Sequence, residues 1–291
     1  MSLFTRRNIL AGVVASLTLG LFGQSASAIT LEQAKSQGYV RVAIHNEPPY
    51  AYMNMEGQAV GIGPETVSAV LKRMGIPEVV WIVSPFSTLI PGMIAGRWDI
   101  VGAQQTIFPA RCEQVAFAEP TNAGLETLLV KEGNPKNIHS YEDLKANDDI
   151  KVATVSGTTE LNYLQAYGIP DDRIIIISNH ADGAELVMSG RADAYTMEEP
   201  SAVVLLNSGN VKGLERATPF KLPVVDGKEV ISFGATTFRK EDKEFLDAYN
   251  KELKAFMETP EFMEIQTSHG FSEEGVRKAM ATTAASRCNP E

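Results

Sequence analysis

The stretch "QQTIFPARCEQVAFAEP" (104–120) sets one arginine, Arg111, between a proline and a mostly apolar run. Its planar guanidinium presents donors in a fixed fork, the geometry that pairs with both oxygens of a carboxylate. The nearest acid in sequence is Glu113. Arg111 is therefore either a surface charge paired with that neighbour or a cation reserved for a negative group from outside the chain. Other chemistry finds little support. The four histidines, His45, His139, His180 and His269, are scattered, and neither CxxC nor HxxxH spacing occurs, which argues against zinc or iron. There is no Ser-His-Asp order, no GxSxG elbow and no GxxxxGK[ST] phosphate loop. The residues point to capture of a small molecule without a cofactor, and not to catalysis.

Composition narrows the partners. The chain has 291 residues, enough for two ordinary domains, with 44% hydrophobic and 21% charged residues. A formal charge of -10 and a pI near 5.0 disfavour nucleic acid and anionic lipid, which require a basic surface. Residues 1–28, "MSLFTRRNILAGVVASLTLGLFGQSASA", have a basic start, an apolar stretch and the small-residue ending Ala26-Ser27-Ala28, as an export signal cleaved after Ala28 would. Arg6-Arg7, followed by Asn8-Ile9-Leu10, resembles the twin-arginine pattern. Removing the leader leaves 24 basic against 36 acidic residues, a formal charge of -12. No later stretch reaches the roughly 18–20 apolar residues that span a bilayer, so the expectation is a soluble periplasmic protein. In that oxidising compartment the only two cysteines, Cys112 and Cys288, can form one bridge.

The elements that must position Arg111 alternate between short β-rich runs and helical patterns, as in an α/β fold. Strands are expected at 40–45, 79–83 and 98–103, with helices at 63–75 and 86–96. After "KEGNPKNIHS" the pattern restarts, with strands at 151–155, 173–178 and 192–197 and helices at 159–168 and 182–190. The restart is nearly a copy. "MIAGRWDIVGA" and "LVMSGRADAYT" each end a helix on Gly-Arg and open a strand on Asp, so Asp99 corresponds to Asp193 and both read as turn or cap residues. A strand at 233–238 precedes a long amphipathic stretch that Pro260 divides into two helices. With no new βαβ unit there, the chain is expected to return to the first lobe, leaving a cleft between two lobes.

Five motifs in order carry a resemblance over about residues 34–272: "EPPYAYMNMEGQAVGIGPE", "FSTLIPGMIAGRWDI", "TIFPARCEQVAFAEP", "SGTTE" and "ADAYTMEEP". Together they resemble the extracytoplasmic solute-binding proteins of ABC importers for polar amino acids. Within that family, "NEPPY", "GNP…SYEDL", "PARC" and the Cys-bearing tail are most similar to binding proteins for ectoine and hydroxyectoine. The resemblance implies a two-lobed type II periplasmic-binding fold, with one lobe from 29–126 plus 235–291 and the other from 127–234. It implies a monomer that delivers a small zwitterion to membrane permease subunits, and indirectly to their ATPase.

The resemblance also assigns roles. Arg111 would grip the solute carboxylate, and the Thr106 hydroxyl would contact either that carboxylate or the ammonium. Thr158 and Thr159 open a helix whose free N–H groups suit an anion, unless one of them merely caps that helix. Glu198 would take the cationic end, with Glu47 as a second candidate and Glu199 as its competitor by one residue of register. Tyr50 and Phe86 would line the pocket and favour a delocalised cation, while Trp81 belongs to the core. Thr106 and Glu198 depart from the ectoine pattern, which has an aromatic at the first position and no acid at the second. Overall likeness thus points to ectoine-type solutes, and these two residues to a conventional polar amino acid. A remote alternative is a periplasmic dehydratase of the cyclohexadienyl type, with Glu47 or Glu198 as proton donor.

Overall fold

The run around "VRVAIH" folds as Tyr39–Ile44, the strand on which the first sheet is organised. It pairs in parallel with Glu78–Val83 on one side and Ile100–Thr106 on the other. A strand covered on both faces must be apolar almost throughout, which is why Val40, Val42, Ala43 and Ile44 are all inaccessible to solvent. A computed structural model describes residues 29–290 apart from Asp226, so the expected export signal over 1–28 lies outside the described residues. Among the described residues no helix is long and apolar enough to cross a membrane.

The fold is α/β with two lobes, each a five-strand path flanked by helices. The first sheet runs Glu78–Val83, Tyr39–Ile44, Ile100–Thr106, Ser232–Phe238, Ala116–Phe117, and Asn122–Gly124 also pairs with Ser232–Phe238. The second runs Ile174–Ile177, Val152–Val155, Ala194–Glu198, Glu126–Lys131, Leu214–Arg216. In both, three parallel strands are followed by an antiparallel strand that belongs to a chain crossing. The copied Gly-Arg-x-Asp motif explains part of this likeness. Asp99 accepts the backbone N–H of Arg41 at 2.8 Å, and Asp193 accepts that of Lys151 at 2.8 Å. Each aspartate thus ties the start of the third strand to the start of the first, a structural task.

The expected strand at 98–103 begins later, at Ile100, because Trp98 turns inward and gives its indole N–H to the Leu89 carbonyl at 2.9 Å. The expected helix at 86–96 is a 3-10 turn, Phe86–Thr88, followed by Leu89–Ile94. Pro260 does divide the late helical stretch, giving Lys243–Met257 and Pro260–Ser268, with Thr259 capping the second through the Phe262 N–H. Phe245, Tyr249, Leu253 and Phe256 recur at helical spacing and join the core shared with Val67, Val70 and Leu71 of the helix Ile62–Arg73. Trp81 is only partly buried and packs against this core.

The chain passes between the sheets at Leu125 and returns through Ile231. The expected return at 235 falls inside the strand Ser232–Phe238, which begins earlier because Ser232 pairs with Gly124 in the first sheet. A second core cluster runs across both lobes, from Phe86, Leu89 and Trp98 to Val155, Leu186 and Tyr195.

Cys112 and Cys288 are joined, across a separation of 176 residues. The bridge fastens the four-residue helix Pro109–Cys112 to the terminal helix Ala284–Cys288, neither of which is long enough to be stable alone. Closing so long a loop restricts the unfolded chain strongly, so replacing both cysteines by serine lowers unfolding free energy by roughly 2–5 kcal/mol. Urea denaturation under non-reducing conditions measures this, and an unchanged midpoint would contradict it.

Candidate functional site

Arg111 is the third residue of the short helix Pro109–Cys112 that follows the strand Ile100–Thr106, and only 5% of it is exposed. It does not pair with Glu113. Its Nη1 donates to the Thr106 carbonyl and its Nη2 to the Gly157 carbonyl, both at 2.9 Å. The guanidinium lies over the rings of Phe86, at 5.3 Å, and Phe108, at 4.8 Å. Burial lowers its pKa to about 10, which still leaves it charged at neutral pH, with Glu160 the strongest opposing influence. No carboxylate forms an ion pair with it among the described residues.

The contact with Gly157 joins the lobes. Gly157 has φ +82°, and a Cβ there would lie 2.9 Å from the Cα of Ser87 on the opposite lobe. Only glycine satisfies both the left-handed backbone and this approach. The helix that follows, Thr159–Ala166, has Thr158 in its cap position, yet the Thr158 hydroxyl donates to the Val155 carbonyl at 2.9 Å and makes no capping bond. Thr159 donates instead to Glu160 at 3.2 Å. The first N–H groups of this helix are thus not claimed by a threonine cap, and its positive dipole end faces the same cavity as Arg111.

All eight residues singled out in the sequence, Glu47, Tyr50, Phe86, Thr106, Arg111, Thr158, Thr159 and Glu198, line one cavity between the lobes. The cavity encloses about 30 Å³, room for little more than one water molecule, so a solute enters only when the side chains that meet across it separate. Two carboxylates make those contacts. Glu198, the last residue of Ala194–Glu198, accepts a short hydrogen bond from the Tyr50 hydroxyl and a longer one, 3.4 Å, from Thr106. Glu47 receives the Ser201 hydroxyl at 3.1 Å and stands 3.0 Å from Nε2 of His180, an ion-pair contact and not an aligned hydrogen bond. The register between Glu198 and Glu199 is thereby resolved: Glu198 turns inward, while Glu199 pairs with Arg216 outside the cavity.

The electrostatics separate the two acids. Burial pushes the Glu47 carboxyl up, but His180, with smaller help from His45 and Ser201, brings it below the usual carboxylate range. His180 moves in the opposite sense: burial lowers it, and Glu47 more than restores it above the ordinary imidazole value. This pair is compensated internally. Burial and then the charge of Glu160 push Glu198 up to about 7. Glu160 is itself raised, chiefly by burial.

Sequence reasoning missed Gln104, Gln105, Glu160 and His180 of the lining. Glu160 had a visible signal, since it follows Thr159 at an expected helix start. Gln104 had none. Its side-chain oxygen is occupied by Thr121 at 2.7 Å and Asn122 at 2.9 Å, which turns its Nε2 donor away from them; that donor is buried without a partner. The cavity therefore brings together one buried cation and a helix N-terminus for a negative group, and two carboxylates, Glu160 and Glu198, for a positive one.

The chain is similar to known solute-binding proteins. Residues 40–272 match the model for bacterial extracellular solute-binding proteins, family 3. A probable amino-acid ABC transporter periplasmic-binding protein of Sinorhizobium fredii is 39% identical over 282 residues, covering 96% of this chain and 93% of the relative. The crystal structure of EhuB in complex with hydroxyectoine is similar with a TM-score of 0.82 and 33% identity, over 90% of this chain and 98% of that one. An ancestral amino acid-binding protein described as a precursor of cyclohexadienyl dehydratase is 26% identical, with a TM-score of 0.71 over 83% and 99% of the two chains. With residues 40–272 matched to that model, the chain belongs to the bacterial extracellular solute-binding proteins, family 3.

Proposed function

We propose that this protein, exported by its leader and acting as a monomer in the periplasm, captures a small zwitterion with a discrete ammonium group, a polar α-amino acid. The observation that carries this reading is the placing of Arg111 and Glu198 on opposite lobes at one cavity, the first without a carboxylate partner and the second with only hydroxyl donors. The solute carboxylate takes Arg111 and the Thr159 end of its helix. Its ammonium takes Glu198, with Tyr50 and Thr106 as further oxygen partners. The lobes divide at Leu125 and Ile231, and contacts made by both lobes to one solute shift the population toward the closed form that a permease receives.

A second reading, an ectoine-type solute, is favoured by the likeness to EhuB and by the rings of Tyr50 and Phe86 at the cavity, since a delocalised cation is held by ring faces as much as by a carboxylate. A thermal-shift screen of the purified protein against polar amino acids, ectoine, hydroxyectoine and betaines separates the two. A solute at 100 times its dissociation constant adds about 2.7 kcal/mol of apparent stability. The expected result is a shift with one or a few α-amino acids; shifts confined to the cyclic amidines would establish the second reading, and none with any zwitterion would overturn both.

A further inference from the structure

Glu126 stands outside the cavity lining, yet it is the residue directly opposite Glu198 in the antiparallel ladder between Glu126–Lys131 and Ala194–Glu198. Directly opposed residues project to the same face of a sheet, about 4.5–5.5 Å apart at Cβ, where like charges oppose each other. On that face the residues further along the two strands are Leu128, Val130 and Ala194 of an apolar core, and Thr196, whose hydroxyl is given to Thr154. Both carboxyls are buried, with Glu126 at 2% exposed. The Ser232 hydroxyl reaches Glu126 Oε1 at 3.1 Å, and Glu126 Oε2 is buried with no hydrogen-bond partner.

Among the described residues, none of the groups that act most strongly on Glu126 is a cation. The groups that face it are Glu198 from the neighbouring strand, Glu160 from the helix Thr159–Ala166, Glu47 from the other lobe, and the Tyr141 and Tyr163 phenols. Arg216, on the flanking strand, gives its guanidinium to Glu199. Arg111 and His180 are engaged at the cavity. A lone carboxylate oxygen in such surroundings is expensive, whereas a carboxylic acid is far less so.

We propose that Glu126 is the neutral, proton-bearing partner of Glu198, a positioning residue that keeps a proton where the chain crosses between the lobes so that Glu198 alone changes charge when a cationic group arrives. This extends the reading of Glu198 as the solute's cation partner. Burial, reinforced by Glu160 and Glu198, holds the Glu126 carboxyl well above the usual range, and burial and Glu160 push Glu198 up to about 7. Two hydroxyls donate to Glu198, whereas Glu126 has one donor and a buried oxygen with none, so Glu126 keeps the proton while Glu198 ionises, and the charge that meets the solute is confined to the residue that Tyr50 and Thr106 already orient.

The sign for stability follows. A carboxyl whose folded pKa is raised stabilises the fold fully below the unfolded value, and this contribution is lost as pH rises through the folded value. Glu126→Gln keeps the shape of the acid but has no proton to lose. Thermal unfolding of the solute-free protein and of E126Q, compared from mildly acidic to alkaline pH, tests the assignment without any solute. The expected result is equal Tm values below the unfolded carboxyl value and a gain for E126Q that grows as pH rises above it through neutrality, on the order of 5 °C. Carboxyl-13C glutamate labelling provides the second readout: among the resonances that do not titrate in the ordinary carboxylate range, one disappears in E126Q. A Tm loss of the same size at every pH, or a spectrum in which every glutamate titrates ordinarily, would overturn the proposal. Either outcome leaves the solute screen to judge the transport reading by itself.

Discussion

Arg111→Ala abolishes solute binding while the lobes still fold. The guanidinium is the only cation at the cavity that is free of a protein carboxylate among the described residues; His180, the other candidate, is held by Glu47. Its two backbone acceptors and its two ring contacts fix its plane before any solute arrives, so the ordering cost of binding is already met. Removing one member of a buried, hydrogen-bonded charge pair costs about 2–5 kcal/mol, a loss of roughly thirty-fold to several thousand-fold in affinity. Arg111→Lys restores the charge but not the planar fork and recovers only part of it. Calorimetric titration measures both variants, and circular dichroism confirms that the Ala variant is folded.

The second large effect is selective. Glu198→Gln keeps the side-chain shape and removes the charge, so a primary ammonium is left against a neutral amide in a buried site. Charge-assisted hydrogen bonds of this kind contribute about 1.5–3 kcal/mol, so α-amino acid affinity falls by roughly ten- to more than a hundred-fold. A cyclic amidinium, whose charge is spread over the ring, keeps its contacts with the faces of Tyr50 and Phe86 and loses less. The pH dependence separates them further. With its carboxyl pushed up to about 7 by burial and Glu160, Glu198 is neutral below that pH and charged above it, so wild-type affinity for an ammonium solute rises as pH increases through neutrality. In Glu198→Gln that rise is absent. Equal losses for both solute types would contradict the role given to Glu198.

Much of this arrangement was legible in the residues themselves. The Gly-Arg-x-Asp copy announced two similarly built sheets, because the aspartate that binds the first strand's N–H recurs with the turn that places it. Pro260 and the helical spacing around Phe245 and Tyr249 marked the late helices for the same local reason. Arg111 drew notice as a planar, carboxylate-matching cation whose nearest acid in sequence is Glu113, a pairing that the fold does not make. What stayed hidden depends on pairing between distant segments. Glu126 looks like any acid at a strand start until the ladder sets it opposite Glu198. Gln104 becomes a donor only because Thr121 and Asn122 occupy its oxygen. The start of the returning strand at Ser232 is set by its pairing with Gly124, which no local pattern encodes.

A crystal structure of the protein grown with the solute that gives the largest thermal shift puts the central claim to its most direct test. The account predicts the solute carboxylate within hydrogen-bond distance of the Arg111 guanidinium, its cation on Glu198, and the lobes closed over both. A solute seated away from Arg111, with that side chain still giving both its donors to Thr106 and Gly157, would contradict it.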